Sequence, residues 1–165
     1  MLKQFKPNYS VVWTNKITEV PQAVWGALAM PLKTPFLEWD WLNNMETSHS
    51  TTANAGCLPN HLTLWRDRVL IAAAPLYLKG NSQGEFVFDH HWAELVCRIG
   101  VEYYPKMLGM SPFTPAEGYL FLIADGEDEE EISALMVHGI DAFCVKHGIS
   151  GCHFLYVDPQ WQPVL

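Results

Sequence analysis

The sequence predicts a single α/β (α+β) domain in which helices flank a sheet. Its 165 residues suit one domain, and 49% hydrophobic residues with 13% aromatic residues are enough for a core. Short runs rich in β-branched and aromatic residues alternate with segments whose apolar residues recur every three or four positions. No internal repeat or low-complexity linker divides the chain, so we expect residues 1–165 to form one domain.

The first third of the chain predicts one strand followed by two helices. Tyr9–Trp13 is a β-branched and aromatic run that is typical of a strand. Pro21 occupies the first position of a short predicted helix that ends before Pro31. Thr34 is the predicted N-cap of a second helix, with Pro35 at its first position and a dense apolar stripe after it.

The middle of the chain predicts a surface loop and then a hairpin. Glu46–Pro59 is rich in Ser, Thr, Asn and Gly, and it is either a lid over a site or a surface ornament. His61–Trp65 is a predicted strand, and Arg66–Arg68 forms the turn after it. Val69–Leu78 is almost continuously apolar, which predicts a strand that is covered on both faces.

The segment from Gly84 to Pro115 contains a predicted strand, a predicted helix and stiff loops. Phe86 and Phe88 alternate with other residues as in a short strand. Trp92–Ile99 has the spacing of a helix with one buried face, ended by Gly100. Prolines constrain the loops that follow, so polar side chains are concentrated between rigid elements. These polar residues are Asp89, His90, Glu102, Tyr103, Tyr104, Lys106, Ser111 and Thr114.

The last part of the chain predicts strand, helix and strand. Gly118–Ala124 is a predicted buried strand, and Cys152–Val157 is the last strand. Between them, a helix is predicted over Asp128–His147, ended by Gly148. The acidic run before and within its first turn is interpreted as a solvated capping face rather than a metal site, because negative charge is favourable at a helix N-terminus.

Charge and cysteine content argue against several classes of protein. The net charge of -8 and the scattered basic residues argue against a nucleic-acid surface. The four cysteines form no C-x-x-C pair and the first residues lack a signal-peptide pattern, so we expect reduced thiols and a cytoplasmic protein. The longest apolar run is too short to span a bilayer, so no membrane insertion is expected.

The motifs in the central segment carry a family resemblance. Tyr103–Lys106 (YYPK) and Pro112–Pro115 (PFTP) are the most specific, and Thr34–Trp39 and Pro75–Lys79 extend the match upstream. With these residues, the chain resembles the FemAB-like, GNAT-related family described as peptidoglycan biosynthesis/recognition. The resemblance implies a GNAT-like fold, with a mixed, mainly antiparallel sheet flanked by helices.

The same resemblance implies that this chain corresponds to the first half of an architecture built from two GNAT-like halves. The Gln-Phe-His-Trp segment that marks the second half has no counterpart in this sequence. Two partners are therefore expected: a second GNAT-like half from another chain, or a second copy through self-association. The high aromatic content suggests that some apolar surface is exposed for such a partner.

The resemblance also implies an acyl-CoA N-acyltransferase-like activity, in which an acyl or aminoacyl group passes to an amine. Such a transfer needs a base for the amine proton and an acid for the leaving group. Asp89, His90 or Glu102 is a candidate base, and Tyr103 or Tyr104 a candidate acid. The candidate substrate-binding residues are Lys106, which is suited to an anionic group, and Ser111 and Thr114. The alternative is that these are packing residues of a non-catalytic domain that needs a second half.

The acyl donor that the resemblance implies is acetyl-CoA or another acyl-CoA. This sequence contains no evident loop that would bind the pyrophosphate group of such a donor. Lys106–Ser111 is the string nearest to the expected glycine-containing loop, but Pro112 follows where a helix should begin. No metal is expected either. The only pattern to consider combines Cys144 and His147 with Cys152 and His153, and a buried structural thiol explains Cys144 better.

Overall fold

A computed structural model describes residues 8–32, 34–81 and 89–161. Strands and helices alternate along the chain, in agreement with the predicted class, and the bounds of eight strands and four helices follow. They are β1 Tyr9–Thr14, α1 Gln22–Ala29, α2 Trp39–Thr47, β2 Cys57–Pro59, β3 His61–Arg66, β4 Val69–Ala74, β5 Leu76–Lys79, α3 His90–Arg98, β6 Lys106–Gly109, β7 Leu122–Ile123, α4 Glu129–His147 and β8 Cys152–Phe154.

In the part of the chain that the structure describes, the strands form two sheets of four strands each. The first sheet has the order β1-β3-β4-β7 and the second the order β2-β5-β6-β8. Every named pair of strands is antiparallel except β6 and β8, which are parallel. This confirms a mixed, mainly antiparallel arrangement.

Pro75 divides the predicted strand Val69–Leu78 into two strands that belong to different sheets. β4 pairs within the first sheet and β5 within the second, so the prediction of one continuous strand was wrong. Proline has no N–H to donate to a strand ladder, and the ladder therefore ends there. Residues on both sides of Pro75 remain buried, as the sequence predicts.

The first two helices begin slightly later than predicted. Pro21 caps α1 instead of occupying its first position. The Thr34 hydroxyl accepts a hydrogen bond of 3.3 Å from the Phe36 N–H, but the turn that it caps is a 3-10 turn, and α2 begins at Trp39. The predicted loop Glu46–Pro59 is also shorter, since α2 includes its first two residues and β2 its last three.

The ends of α4 confirm the prediction from its capping residues. The Asp128 carboxylate accepts a hydrogen bond of 3.0 Å from the Glu131 N–H, and Gly148 has a φ of 64°. One member of the acidic run differs from the prediction. Glu127 is not a solvated capping residue, because its carboxylate receives bidentate hydrogen bonds of 2.6 and 2.7 Å from the Arg66 guanidinium at the end of β3.

Helix α3 has the predicted apolar face, but that face is not buried. Trp92 is 64% exposed, Leu95 50% and Ile99 70%, so the prediction of a buried face was wrong. The spacing of apolar residues shows that one side of a helix is apolar, but it does not reveal whether this chain supplies a partner for it. Gly100 ends this helix with a φ of 77°. The predicted strand at Phe86–Phe88 lies outside the described residues.

Two further differences concern strands. Lys106–Gly109 was expected to be a loop, but these four residues form β6 in the middle of the second sheet. Of the predicted strand Gly118–Ala124 only Leu122–Ile123 pairs with β4, and of Cys152–Val157 only the first three residues form β8. The first run is nonetheless largely buried, with Tyr119, Phe121 and Leu122 at most 2% exposed, whereas the second is only partly buried. An apolar run alone therefore does not determine which residues pair.

Candidate functional site

The second sheet has one face in the main core and one face turned away from it. Side chains alternate along a strand, and directly paired residues point to the same side. Leu76, Met107 and Phe154 share the face that packs in the main core. The opposite face carries the polar residues of these strands together with a small second core, and its members are Tyr77, Lys79, Lys106, Leu108 and His153.

A buried ion pair lies over this outer face. The Lys106 Nζ contacts the Asp89 carboxylate, and only 5% of Lys106 and 6% of Asp89 is exposed. The Tyr104 hydroxyl donates a hydrogen bond of 2.8 Å to the other Asp89 oxygen. The Lys106 ammonium also lies 4.8 Å from the centre of the Tyr103 ring, within the range of a cation–π interaction. The structure therefore brings four of the predicted site residues together.

Asp89, Tyr103 and Lys106 border a cavity of about 400 Å³. Its lining combines charged residues with mainly apolar and aromatic side chains, which is the usual character of a small-molecule site. Asp89, Trp92, Tyr103, Lys106, Leu108, His153 and Leu155 line it. A ligand in this cavity would therefore meet two opposite charges as well as hydrophobic side chains.

His153 is the residue of this cavity that the sequence did not reveal. It is exposed on β8, next to Leu108 of β6 in the parallel pair. Partial burial lowers the pKa of its imidazole, and the positive charge of Lys106 lowers it further. The sequence shows His153 as the neighbour of Cys152 and as part of a rejected metal pattern, and residues 152 and 153 point to opposite faces of the strand. Only the register of β6 and β8 places it beside Lys106.

Five of the predicted site residues do not line this cavity, and Tyr104 is one of them, although it bonds to Asp89. His90 and Glu102 are exposed, and the His90 ring packs against the His91 ring at 4.3 Å. The buried Ser111 hydroxyl donates a hydrogen bond of 3.1 Å to the Phe36 carbonyl oxygen. The Thr114 hydroxyl donates to the Pro112 carbonyl oxygen, also at 3.1 Å. Ser111 and Thr114 thus hold loop backbone in place.

A second cavity, of about 630 Å³, lies beside α2 and the loop that follows it. None of its lining side chains is an acid, a base or a thiol, so it offers binding surface but no proton-transfer group. The lining residues are Trp41, Met45, Ser50, Asn54, Ala55, Asn81 and Phe113. The loop therefore borders a cavity, but a different one from the cavity that contains the ion pair.

Within the described residues there is no group of three or more His, Cys, Asp or Glu side chains that could hold a metal ion. Cys144 and Cys152 instead lie in or against the main core, where burial raises the pKa of both thiols. No helix in the same part of the chain is both long enough and apolar enough to cross a bilayer.

The chain matches the profile of a known protein family over most of its length. The profile of the FemAB-like family, described as peptidoglycan biosynthesis/recognition, matches residues 16–165. The chain belongs to the FemAB-like family. No curated protein matches it significantly.

The fold of this FemAB-like chain is similar to that of a solved acetyltransferase. The structure of aminoglycoside N-acetyltransferase AAC(6')-Iy in complex with CoA aligns with a TM-score of 0.57. The alignment covers 98% of this chain and 85% of the acetyltransferase, with 10% sequence identity. At this identity the likeness shows a shared GNAT fold, in agreement with the predicted class.

In this FemAB-like chain, the residues at which the pyrophosphate of CoA would be expected to bind are not suited to binding it. Anions bind at helix N-termini when backbone N–H groups are available to them. Here α4 follows β7, but its Glu131 N–H already bonds to Asp128, and Glu129, Glu130 and Glu131 occupy its first turn. The alternative string Lys106–Ser111 begins with strand β6 and does not start a helix.

Proposed function

We propose that this chain is an N-acyltransferase-like module that transfers an acyl or aminoacyl group to an amine held in the cavity over β6 and β8. The observation that supports this is that Asp89, Lys106 and His153 line one cavity, with Tyr104 bonded to Asp89. The family and the GNAT fold are consistent with the same reaction class.

In this proposal His153 is the base. An amine attacks an acyl carbon only through a free electron pair, so it must lose a proton before or during attack. The lowered pKa of His153 keeps its imidazole unprotonated at neutral pH, ready to accept that proton. Asp89 is a poorer base than the sequence suggested, because its carboxylate is engaged by Lys106 and Tyr104.

The bond changes are those of acyl substitution. The amine nitrogen forms a bond to the acyl carbon, the bond from that carbon to the leaving group breaks, and the leaving group departs with the electron pair. Tyr103 also lines the cavity, and in this proposal its hydroxyl supplies a proton to that group. Because the start of α4 does not fit a pyrophosphate, an acyl-CoA donor would have to bind elsewhere, and an aminoacyl donor is an equal alternative.

Variants of the cavity test this proposal. We expect His153→Asn to lower the rate of amine acylation at least about 100-fold, the range that a general base contributes. His138→Asn is the matched control, since His138 is exposed on α4 and does not line the cavity. Acylated products are measured by mass spectrometry with acetyl-CoA and aminoacyl esters as donors. Equal rates for the two variants would rule out His153 as the base.

Calorimetric titration with acetyl-CoA and with CoA tests whether the donor reaches the same cavity. If it does, Lys106→Ala or Tyr104→Phe should weaken binding by more than tenfold, or about 1.4 kcal/mol. Binding that neither substitution changes would place the donor away from the ion pair. No heat from a folded protein with either ligand would exclude both as donors for this chain.

The exposed apolar face of α3 favours the alternative, a pairing domain. Leu95 and Ile99 lie one turn apart and are both at least half exposed, so a second copy could bury this face against its own. We expect the protein to self-associate and Leu95→Glu with Ile99→Glu to abolish this in light scattering. Val145→Glu, at an exposed apolar residue of α4, is the control. A monomer at every concentration would contradict pairing.

A further inference from the structure

The second cavity, beside α2 and the loop that follows it, has the size and lining of a separate binding site. Its volume of about 630 Å³ lies within the roughly 300–1,000 Å³ that small-molecule sites occupy. The seven described residues that line it are all uncharged: four are apolar or aromatic, and three carry an amide or a hydroxyl. A charged group would lose its hydration here without gaining a countercharge from these residues. The lining therefore favours an uncharged ligand with a large apolar surface.

Two aromatic side chains from distant parts of the chain line this cavity, and Phe36 connects them. The Phe36 ring packs edge-on against the Trp41 ring of α2, with ring centres 5.1 Å apart. The Phe36 carbonyl oxygen accepts the hydrogen bond of 3.1 Å from the hydroxyl of Ser111, two residues before Phe113. Trp41 and the loop that carries Phe113 are thus anchored to the same residue. Such anchoring reduces the conformational freedom that is lost when a ligand binds.

Phe113 has a backbone conformation that residues other than glycine rarely adopt. Its φ is 54°, in the left-handed region. The Thr114 hydroxyl, which donates to the Pro112 carbonyl oxygen at 3.1 Å, holds the loop around it. The Phe113 ring packs against the small second core on one side and lines the cavity. Strained residues of this kind are concentrated at sites where a ligand is held.

Two amide side chains border the cavity near the loop after α2. Asn54 lies on this loop and is exposed. Asn81 follows β5, and its amide lies so close to Gly56 of the loop that a Cβ at Gly56 would collide with it. Gly56 has a φ of 71°, so glycine suits both the backbone and the space. An amide presents a donor and an acceptor side by side, so the cavity combines aromatic surface with amide hydrogen-bonding groups.

A nucleobase matches this lining better than a sugar ring does. A sugar carries hydroxyl groups around its whole edge, and those that face the apolar residues would lose water without gaining a partner. A nucleobase has two flat faces, and its donors and acceptors lie along its edge. Aromatic side chains stack on such faces, and the amide of an asparagine can pair with such an edge, as it does with N6 and N7 of adenine.

We propose that this cavity binds the nucleobase of a nucleoside, with the base against Trp41 and Phe113 and its polar edge on Asn54. The net charge of -8 and the uncharged lining disfavour recognition through phosphate groups, so the base itself supplies the binding energy. Binding here uses none of the residues that line the cavity over β6 and β8. It therefore goes beyond the proposed acyl transfer, and either proposal can fail without the other.

Calorimetric titration of the whole chain with uncharged ligands tests whether a base is recognised. Adenosine and uridine carry a base on ribose, methyl β-D-ribofuranoside lacks the base, and indole is a planar ring without an amide-type edge. We expect at least one of the nucleosides to bind at least tenfold more tightly than methyl ribofuranoside and indole. Equally tight binding of either control ligand would overturn the proposal. It would also be overturned if neither nucleoside bound to the folded protein.

Substitutions test whether the nucleoside lies in this cavity. Trp41→Ala should weaken binding at least tenfold, whereas Trp92→Ala, at a tryptophan that lines the other cavity, should leave it unchanged. Asn54→Ala changes an exposed residue, so it keeps the test valid if Trp41→Ala does not fold, and it should weaken binding about fivefold or more. Asn44→Ala, at an exposed residue of α2 that does not line the cavity, is its control. Unchanged binding in Asn54→Ala, or an equal loss in Trp92→Ala, would overturn the assignment.

Discussion

The pKa of His153 depends on the residues that surround it in the folded chain. Burial and the charge of Lys106 both lower the pKa of its imidazole, so the folded chain binds this proton less readily than the unfolded chain. The unfolded-state value is about 6.5, so acidification through and below that pH destabilises the fold. Neutral His153 is therefore the main form in the folded chain above about pH 6.5.

We predict that an NMR titration places the pKa of His153 below about 6.5. Lys106→Met should return the pKa of His153 only part of the way to its unfolded value, because burial, the larger of the two causes of the shift, remains. If acylation depends on neutral His153, the acid limb of the pH–rate profile should move upward by the same amount. A pKa that does not respond to Lys106→Met would show that the two groups do not interact.

The cysteines differ in reactivity because they differ in surroundings. Cys97 is exposed on α3, whereas burial together with nearby Cys144 and Asp141 raises the pKa of Cys152 to about 12. The thiolate is the form that reacts with alkylating agents. We predict that iodoacetamide at pH 8 modifies Cys97 first and leaves Cys152 unmodified until the protein unfolds, as measured by peptide mass spectrometry. Early modification of Cys152 would contradict its burial.

The N-terminus of α4 is a feature that the local sequence is sufficient to predict. Asp128 accepts a hydrogen bond from the Glu131 N–H, and a lost N-cap typically costs about 1 kcal/mol. We predict that Asp128→Ala lowers the free energy of unfolding by about that amount in urea denaturation. Glu130→Ala removes a charge from the same turn without removing the cap, and it should have a smaller effect. Equal effects would attribute the stabilisation to charge alone.

Helix α3 shows the opposite case, in which local signals mislead. Its apolar stripe is as regular as that of a buried helix, yet Trp92, Leu95 and Ile99 are exposed. The stripe depends only on spacing within the helix, whereas burial depends on what lies against it. The same reasoning explains Lys106, which looks like a surface residue in the sequence but is buried in β6 beside Asp89.

An aromatic cluster connects the last described residues to the second sheet. Trp161 is 3% exposed, and its ring centre lies 4.7 Å from that of Phe121 and 6.0 Å from that of Phe154 in β8. Gly109 leaves room for this packing, because a Cβ there would lie 2.4 Å from the Phe154 ring. The cluster therefore links the region after β8 to the strand that carries Lys106.

We predict that Trp161→Ala lowers the free energy of unfolding by about 3–5 kcal/mol, the usual cost of truncating a buried tryptophan. Trp92→Ala is the matched control, since Trp92 is mostly exposed and its loss should cost far less. Chemical denaturation followed by circular dichroism measures both. A similar loss for the two variants would show that the aromatic cluster does not contribute to stability.

The sequence by itself determined the α+β class, the family resemblance, the ends of α4 and the segment that contains most of the site. These depend on local signals: apolar spacing, capping residues and short motifs. Only the tertiary structure decided that Asp89, Tyr103, Tyr104 and Lys106 meet, that His153 joins them, and that His90 and Glu102 do not. The physical reason is that a site depends on strand register and on the sheet face to which each side chain points. Both are set by contacts between segments far apart in the chain, such as β6 and β8.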